Sequence, residues 1–234
     1  MKVSVVVPVY NEENRIYPFI ADLDRYTKTI ADMEVIFVND GSSDGTIDIL
    51  KKYAAHHRNT RIVSYSKNRG KGYAVKQGVA AATGEKIIFI DADNATRPNE
   101  ITKMADLLDK FDVVVGDRTH PKSYVAQPSL RQATGKLFNF YANTLFGINV
   151  RDNLCGFKGF NRAAAKQLFR GMVSDRWIFD IELFYKIRKS GMSLGHMPIK
   201  WEHKEGTKIK FLDPFRMFFQ LLFLRIKLIR RNKH

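Results

Sequence analysis

Five short apolar runs punctuate the first half of the chain. Each is followed by a polar cluster and then by a stretch with helical spacing. The runs fall at 3–9, 34–38, 61–65, 86–90 and 112–116. Their apolar residues are nearly continuous rather than alternating, the pattern of strands covered on both faces. After the first run, Ile16, Phe19, Ile20, Leu23 and Tyr26 recur three and four residues apart. That spacing predicts an amphipathic helix over 12–30. Asp44 is expected to cap a second helix reaching Tyr53. A third is expected over 70–82, closed by Gly84, and Pro98 opens a fourth that ends near Leu108. Such alternation implies a mostly parallel sheet with helices on both sides.

The second half loses that rhythm. Helices are expected over 129–146, 163–169, 179–189 and 213–229, an extended piece over 155–160, and one strand over 194–201. The chain has 234 residues and a formal net charge of +15. It is too rich in aromatic and branched apolar residues to be disordered. Its one cysteine, Cys155, excludes a disulfide-stapled scaffold. A surplus of this size points to an anionic partner: nucleic acid, a membrane surface or phosphorylated substrates. The charge is uneven, with ten basic against three acidic side chains from 196 to 234. No stretch approaches the ~20 apolar residues of a membrane span. The first apolar run lacks a signal-peptide cleavage pattern. The chain is therefore expected on the cytosolic side, where a lone thiol is at home.

Three polar clusters fall where strands end, and ligands of open parallel sheets bind at that edge. They are Pro8-Val9-Tyr10-Asn11-Glu12, the run from Asn39-Asp40-Gly41 to Thr46, and Asp91-Ala92-Asp93. Each alone can be turn and cap chemistry; all three at one edge indicate a site. Two carboxylates two residues apart at a strand end can share one hard cation, Mg²⁺ or Mn²⁺, together with substrate phosphates. The Gly-rich stretch Asn68-Arg69-Gly70-Lys71-Gly72 lacks P-loop spacing. It serves either as a tight turn into a helix or as a phosphate-facing loop. No G-x-G-x-x-G follows the first strand, which disfavours a dinucleotide dehydrogenase. No RNP-like or helix-turn-helix pattern supports nucleic acid.

These clusters, taken together, resemble the family 2 GT-A glycosyltransferases. The stretches Asp152-Asn153-Leu154-Cys155-Gly156-Phe157-Lys158, Trp177 to Leu183 and Trp201 to Lys208 most resemble the polyprenyl-phosphate sugar synthases of the dolichyl-phosphate glucosyltransferase branch. The resemblance implies a GT-A, Rossmann-like fold over 1–210. Residues 1–118 would bind the nucleotide sugar and 119–210 the acceptor, with a basic amphipathic segment over 211–234. It implies that Pro8, Tyr10 and Glu12 cradle the nucleobase and that Asp40 meets base or ribose. Lys71, Asp91 and Ala92 would complete the nucleotide site, and Asp91 and Asp93 would take the metal. Arg118, Arg131 and Lys208 would meet acceptor or donor phosphate, and are assigned to the acceptor. One departure stands out. Dolichyl-phosphate mannose synthases carry a metal-binding Gln where this chain has Ala95.

The implied reaction moves a hexose, glucose from UDP-glucose, to dolichyl or polyprenyl phosphate with inversion. The implied alternatives are a mannose synthase using GDP-mannose and a glycan-extending family member. From a different class, a basic membrane-binding module without activity also fits the charge. A phosphate monoester carries about −1.5 to −2 charge at pH 7. As a nucleophile it needs positioning more than a base, so a base role for Asp180 is optional. Asp180 and Glu182 would either orient sugar hydroxyls or pair with Arg176 or Lys186 on a helix surface. The last helix either lies in the interface of an anionic membrane or packs on the core with a solvated basic end. Phe138, Phe140, Tyr141, Leu145 and Phe146 form a second candidate membrane surface, with core packing as its alternative.

Overall fold

The computed structural model describes residues 2–27, 32–126, 129–204 and 213–231. In chain order its elements are β1 (Val3–Val9), α1 (Ile16–Thr27), β2 (Met33–Asp40), α2 (Thr46–His56), β3 (Thr60–Tyr65) and α3 (Lys71–Ala81). There follow β4 (Lys86–Ile90), α4 (Glu100–Leu107), β5 (Val113–Asp117), β6 (Tyr124–Ala126), α5 (Ser129–Phe146) and β7 (Phe157–Asn161). The last are α6 (Arg162–Phe169), α7 (Phe179–Ser190), β8 (Leu194–Pro198), β9 (Lys200–Glu202) and α8 (Asp213–Arg231).

Seven strands form one sheet in the order β3-β2-β1-β4-β7-β5-β8. All neighbours are parallel except β7, which runs antiparallel to both β4 and β5. The expected sheet is thus present, but a strand from the second half is threaded into the first. Successive strand residues face opposite sides, and both sides are covered. Val5, Val7, Val35, Phe37, Ile88 and Ile90 pack toward α1, α2 and α4. Val6, Ile36, Val38, Ile87 and Phe89 pack toward α3, α6 and α7. This two-sided burial explains why the strand runs are continuously apolar. The chain leaves β1 to build β2 and β3 on one side and β4 on the other. The topological switch point therefore lies between β1 and β4, and their carboxyl ends frame the crevice.

Helix α8 is not a detached tail. Met217, Leu221, Leu224 and Leu228, spaced four, three and four apart, are buried in the same layer as Phe146 and Tyr185. Arg225 lies over both of those rings at 6.0 and 5.6 Å. The opposite face carries Phe218, Phe219, Leu222, Phe223, Ile226 and Ile229, all exposed. Phe218 stacks on Tyr141 of α5 at 3.9 Å, and Leu137 and Phe140 of α5 are also exposed. Core packing of this helix is thus observed on one face, and the other face is left apolar and exposed. Of the α5 apolar residues expected at a membrane, Phe146 is core, Phe138, Tyr141 and Leu145 are partly buried against it, and Phe140 faces out.

Two local expectations are corrected. The single strand over 194–201 is two strands: β8 pairs with β5, and β9 pairs with β6 in a separate ribbon. β6 has only three residues, too few to show a periodicity. Asp44 sits one residue before the cap position of α2, which is Gly45. Its carboxylate accepts the N–H groups of Thr46 and Glu13, tying the loop after β1 to the start of α2.

Candidate active site

The first two polar clusters are stitched together at the carboxyl edge. Asn11, at φ 50°, accepts the N–H of Ser43 at 2.8 Å and donates its own to the Ser42 hydroxyl. The Glu12 N–H reaches the Thr46 hydroxyl at 2.8 Å. The Glu12 carboxylate is buried and held by the Arg15 fork at 2.9 and 2.7 Å. Pro8 and Tyr10 are partly exposed beside it.

Asp40 ends β2, and both its oxygens are engaged. Oδ1 accepts the Arg69 N–H at 2.8 Å, and Oδ2 accepts from Gly70 N–H and Asn68 Nδ2 at 2.9 and 2.8 Å. Asp40 is therefore the organiser of the Gly-rich loop as well as a residue expected to meet base or ribose. Gly70 has φ +101° and lies so close to Arg176 and Asp175 that a Cβ would meet them at 2.7 Å. The loop thus delivers Lys71 to the crevice at the start of α3.

Lys71 Nζ lies 2.7 and 2.8 Å from the two oxygens of Asp91. Asp91 anchors its N–H on the Gly156 carbonyl at 3.1 Å. A Cβ on Gly156 would fall 1.8 Å from Asp91 Oδ2, so only glycine fits there. Asp93 Oδ1 accepts the Ala95 N–H at 3.0 Å, and the Lys71 charge acts on Asp93 from a distance. Burial and then the Asp91 charge push its pKa above the ordinary carboxylate value. Ala92 between them is buried. Burial works against the Lys71 ammonium, but Asp91, Asp180 and Asp93 outweigh it and hold its pKa above the usual lysine value.

Asp180, in the first turn of α7, is buried and paired with Lys158 Nζ at 2.7 Å. Lys158 is completely buried. It also donates to the Cys155 carbonyl at 2.6 Å and lies 5.4 Å from the rings of Phe89 and Phe184. Burial raises the Asp180 pKa, against the pull of Lys158 and Lys71. Pairing with Arg176 or Lys186 on a helix surface is overturned for both acids. Glu182 is buried and accepts the N–H groups of Val173 and Ser174, bracing the turn before α7. Burial pushes the Cys155 thiol up to about 12, so it stays protonated.

Just after β5, Arg118 forms a two-pronged pair with Asp152, Nε at 2.8 Å and the terminal nitrogen at 2.7 Å. Its guanidinium also lies 5.2 Å from the Trp201 ring. Burial opposes both charges of the pair, but each holds the other ionised. Arg131 falls in the first turn of α5; its side chain, and all of Lys208, lie outside the described residues. Sequence reasoning gave no role to Lys158 or Asp152. The available signal was a lone lysine between Phe157 and Phe160 in an otherwise apolar strand, which has to find a carboxylate.

Carboxylates and ammonium groups gathered at the switch point of a mostly parallel sheet mark a ligand-binding crevice of an α/β protein. Residues 4–169 match the model of glycosyl transferase family 2, and the chain belongs to that family. It is 32% identical to a dolichyl-phosphate beta-glucosyltransferase of Dictyostelium discoideum, over 93% of this chain and 71% of that protein. It is 34% identical to the Homo sapiens dolichyl-phosphate beta-glucosyltransferase, over 97% of this chain and 75% of that one. Among solved structures, it superposes with a TM-score of 0.70 and 20% identity on Mycobacterium tuberculosis glucosyl-3-phosphoglycerate synthase in complex with Mn²⁺, UDP-glucose and glycerol 3-phosphate. That match covers 96% of this chain and 79% of the other. The GT-A type of fold and glycosyltransferase class expected from the sequence are thereby borne out.

Proposed function

We propose that the chain transfers glucose from UDP-glucose to dolichyl or another polyprenyl phosphate, inverting the anomeric centre. The observation that carries this reading is the meeting of Asp91, Asp93, Lys71 and Asp180 at the crevice, in a chain similar to dolichyl-phosphate beta-glucosyltransferases. Residues 1–118 serve the donor, 119–210 the acceptor, and 211–234 the membrane.

Pro8, Tyr10 and Glu12 line the base end, and Asp40 holds the Gly-rich loop against the nucleotide. Asp91 and Asp93 are the residues that would hold Mg²⁺ or Mn²⁺. Two hard oxygen donors fit such an ion when substrate phosphates complete its shell. No third His, Cys, Asp or Glu joins them among the described residues. Ala95 cannot act as a ligand through its side chain, which leaves the donor diphosphate and water to complete the shell. The ion would supply charge compensation for the leaving diphosphate. Lys71 adds a second positive charge on the same side. Asp180, held by Lys158, accepts hydrogen bonds from sugar hydroxyls. Arg118, Arg131 and Lys208 gather the acceptor phosphate, whose oxygen is already anionic. The enzyme's contribution is orientation and preorganised charge.

The lipid acceptor calls for a membrane surface. Among the described residues, no helix is long and apolar enough to cross a membrane. The outer face of α8, with Leu137 and Phe140 of α5, is the surface we assign to an anionic bilayer. Lys227 and Arg230, both exposed on α8, suit the lipid headgroups. The enzyme then works as a peripheral, monotopic protein on the cytoplasmic face. Phe219→Ser with Phe223→Ser is expected to weaken co-sedimentation with anionic vesicles by about tenfold or more.

The reading is tested with labelled UDP-glucose or GDP-mannose, Mg²⁺ or Mn²⁺, and dolichyl phosphate. A glucosylated lipid from UDP-glucose is the expected product. A mannosylated lipid from GDP-mannose alone would replace the donor assignment, and no lipid product with either would overturn the acceptor assignment.

A further inference from the structure

We propose that Lys71 competes with the divalent cation for Asp91, so that the cation binds tightly only when the donor diphosphate draws Lys71 away. The inference rests on the metal reading of Asp91 and Asp93 given above. Both oxygens of Asp91 lie within 2.8 Å of Lys71 Nζ. An ammonium seated on both oxygens blocks the directions from which a cation binds that carboxylate, and it repels a second positive charge. Asp93 by itself offers one carboxylate, with Oδ1 already accepting the Ala95 N–H. Lys71 is held within narrow limits. It opens α3 directly after Gly70, whose N–H is fixed on Asp40, and its side chain is largely enclosed.

The charges support the exchange. Asp91, Asp93 and Asp180 face Lys71 and Lys158, two ammonium groups against three carboxylates. A divalent cation added alone turns this set net positive. A cation added with a diphosphate does not, and the diphosphate offers Lys71 a new anionic partner. Binding of cation and nucleotide is therefore coupled, and the coupling is reciprocal.

The test measures Mn²⁺ affinity by electron paramagnetic resonance with and without UDP, in the wild-type chain, Lys71→Met and Lys71→Arg. Lys71→Met is expected to bind Mn²⁺ about tenfold more tightly than wild type when UDP is absent, and to lose most of the strengthening that UDP brings. Lys71→Arg keeps the charge and is expected to stay close to wild type. Thermal melting gives a second readout. Mn²⁺ without UDP should raise the melting temperature of Lys71→Met more than that of wild type. Equal or weaker Mn²⁺ binding by folded Lys71→Met without UDP would overturn the inference alone. No Mn²⁺ binding in any of the three proteins, even with UDP, would overturn the metal reading and the inference with it.

Discussion

The two ends of the same sheet treat buried carboxylates in opposite ways. At the amino end, Glu34 of β2 is surrounded by donors. The Ser4 hydroxyl lies 2.5 Å from Oε1, the Thr83 N–H 2.6 Å and the Thr83 hydroxyl 2.7 Å. Lys2 and Arg61 stand 3.9 Å from the other oxygen. Burial alone would raise the Glu34 pKa, but these donors outweigh it and hold it below the ordinary glutamate value. At the carboxyl end, Asp180 is buried and Asp93 half-buried, each near another carboxylate, and their pKa values are raised. The first arrangement stabilises the fold. The second crowds carboxylates together in the crevice, which works against their ionised forms.

This contrast can be broken at three places. Asp93→Asn should have the largest effect on activity, lowering kcat/KM for sugar transfer by about a thousandfold. Its melting temperature should stay level or rise, because a crowded charge has been removed. A clear drop in stability would place Asp93 with the structural carboxylates. Lys158→Met should lower stability by about 3–5 kcal/mol, since it strands Asp180 as a buried unpaired acid; urea denaturation measures this. Adding Asp180→Asn to that variant should recover part of the loss, and no recovery would show that Lys158 acts through packing instead. Glu34→Gln should have the smallest effect, about 1–3 kcal/mol of stability, with kcat unchanged. Its pH dependence has a definite sign. The folded-state pKa of Glu34 is depressed, so its contribution is complete above the unfolded value of about 4.3. It is lost as pH falls through the folded-state value. Acid titration of stability should therefore be steeper in the wild-type chain than in Glu34→Gln.

Much of this was legible in the residues themselves. β4 and α5 have the bounds that the apolar pattern indicated, because each is bracketed by polar turns and carries a long, uniform signal. Asp91 and Asp93 announced themselves by following a buried strand. The antiparallel insertion of β7 was not legible, since five mostly apolar residues look the same in either direction. Nor was the fate of Asp180 and Glu182. Helical spacing gives the face on which a carboxylate sits but does not say what covers that face. Here the cover is β7, remote from the helix start that a local pattern describes, and the turn at 173–174, which folds back onto the helix from just before it.

The position of β7 bears on how a growing chain completes itself. When residue 117 has been made, β5 has neither of its strand neighbours, because β7 and β8 are still to come. β4 likewise has an open edge until residues 157–161 arrive. Pairings this distant in sequence form slowly, and an open edge invites contact with other chains. The same strand is preceded by Gly156, on which Asp91 rests, and carries Lys158, on which Asp180 rests. Closing the sheet and assembling the carboxylates of the proposed site are thus one event. A molecule that fails to close lacks that arrangement and is marked by a bare strand edge.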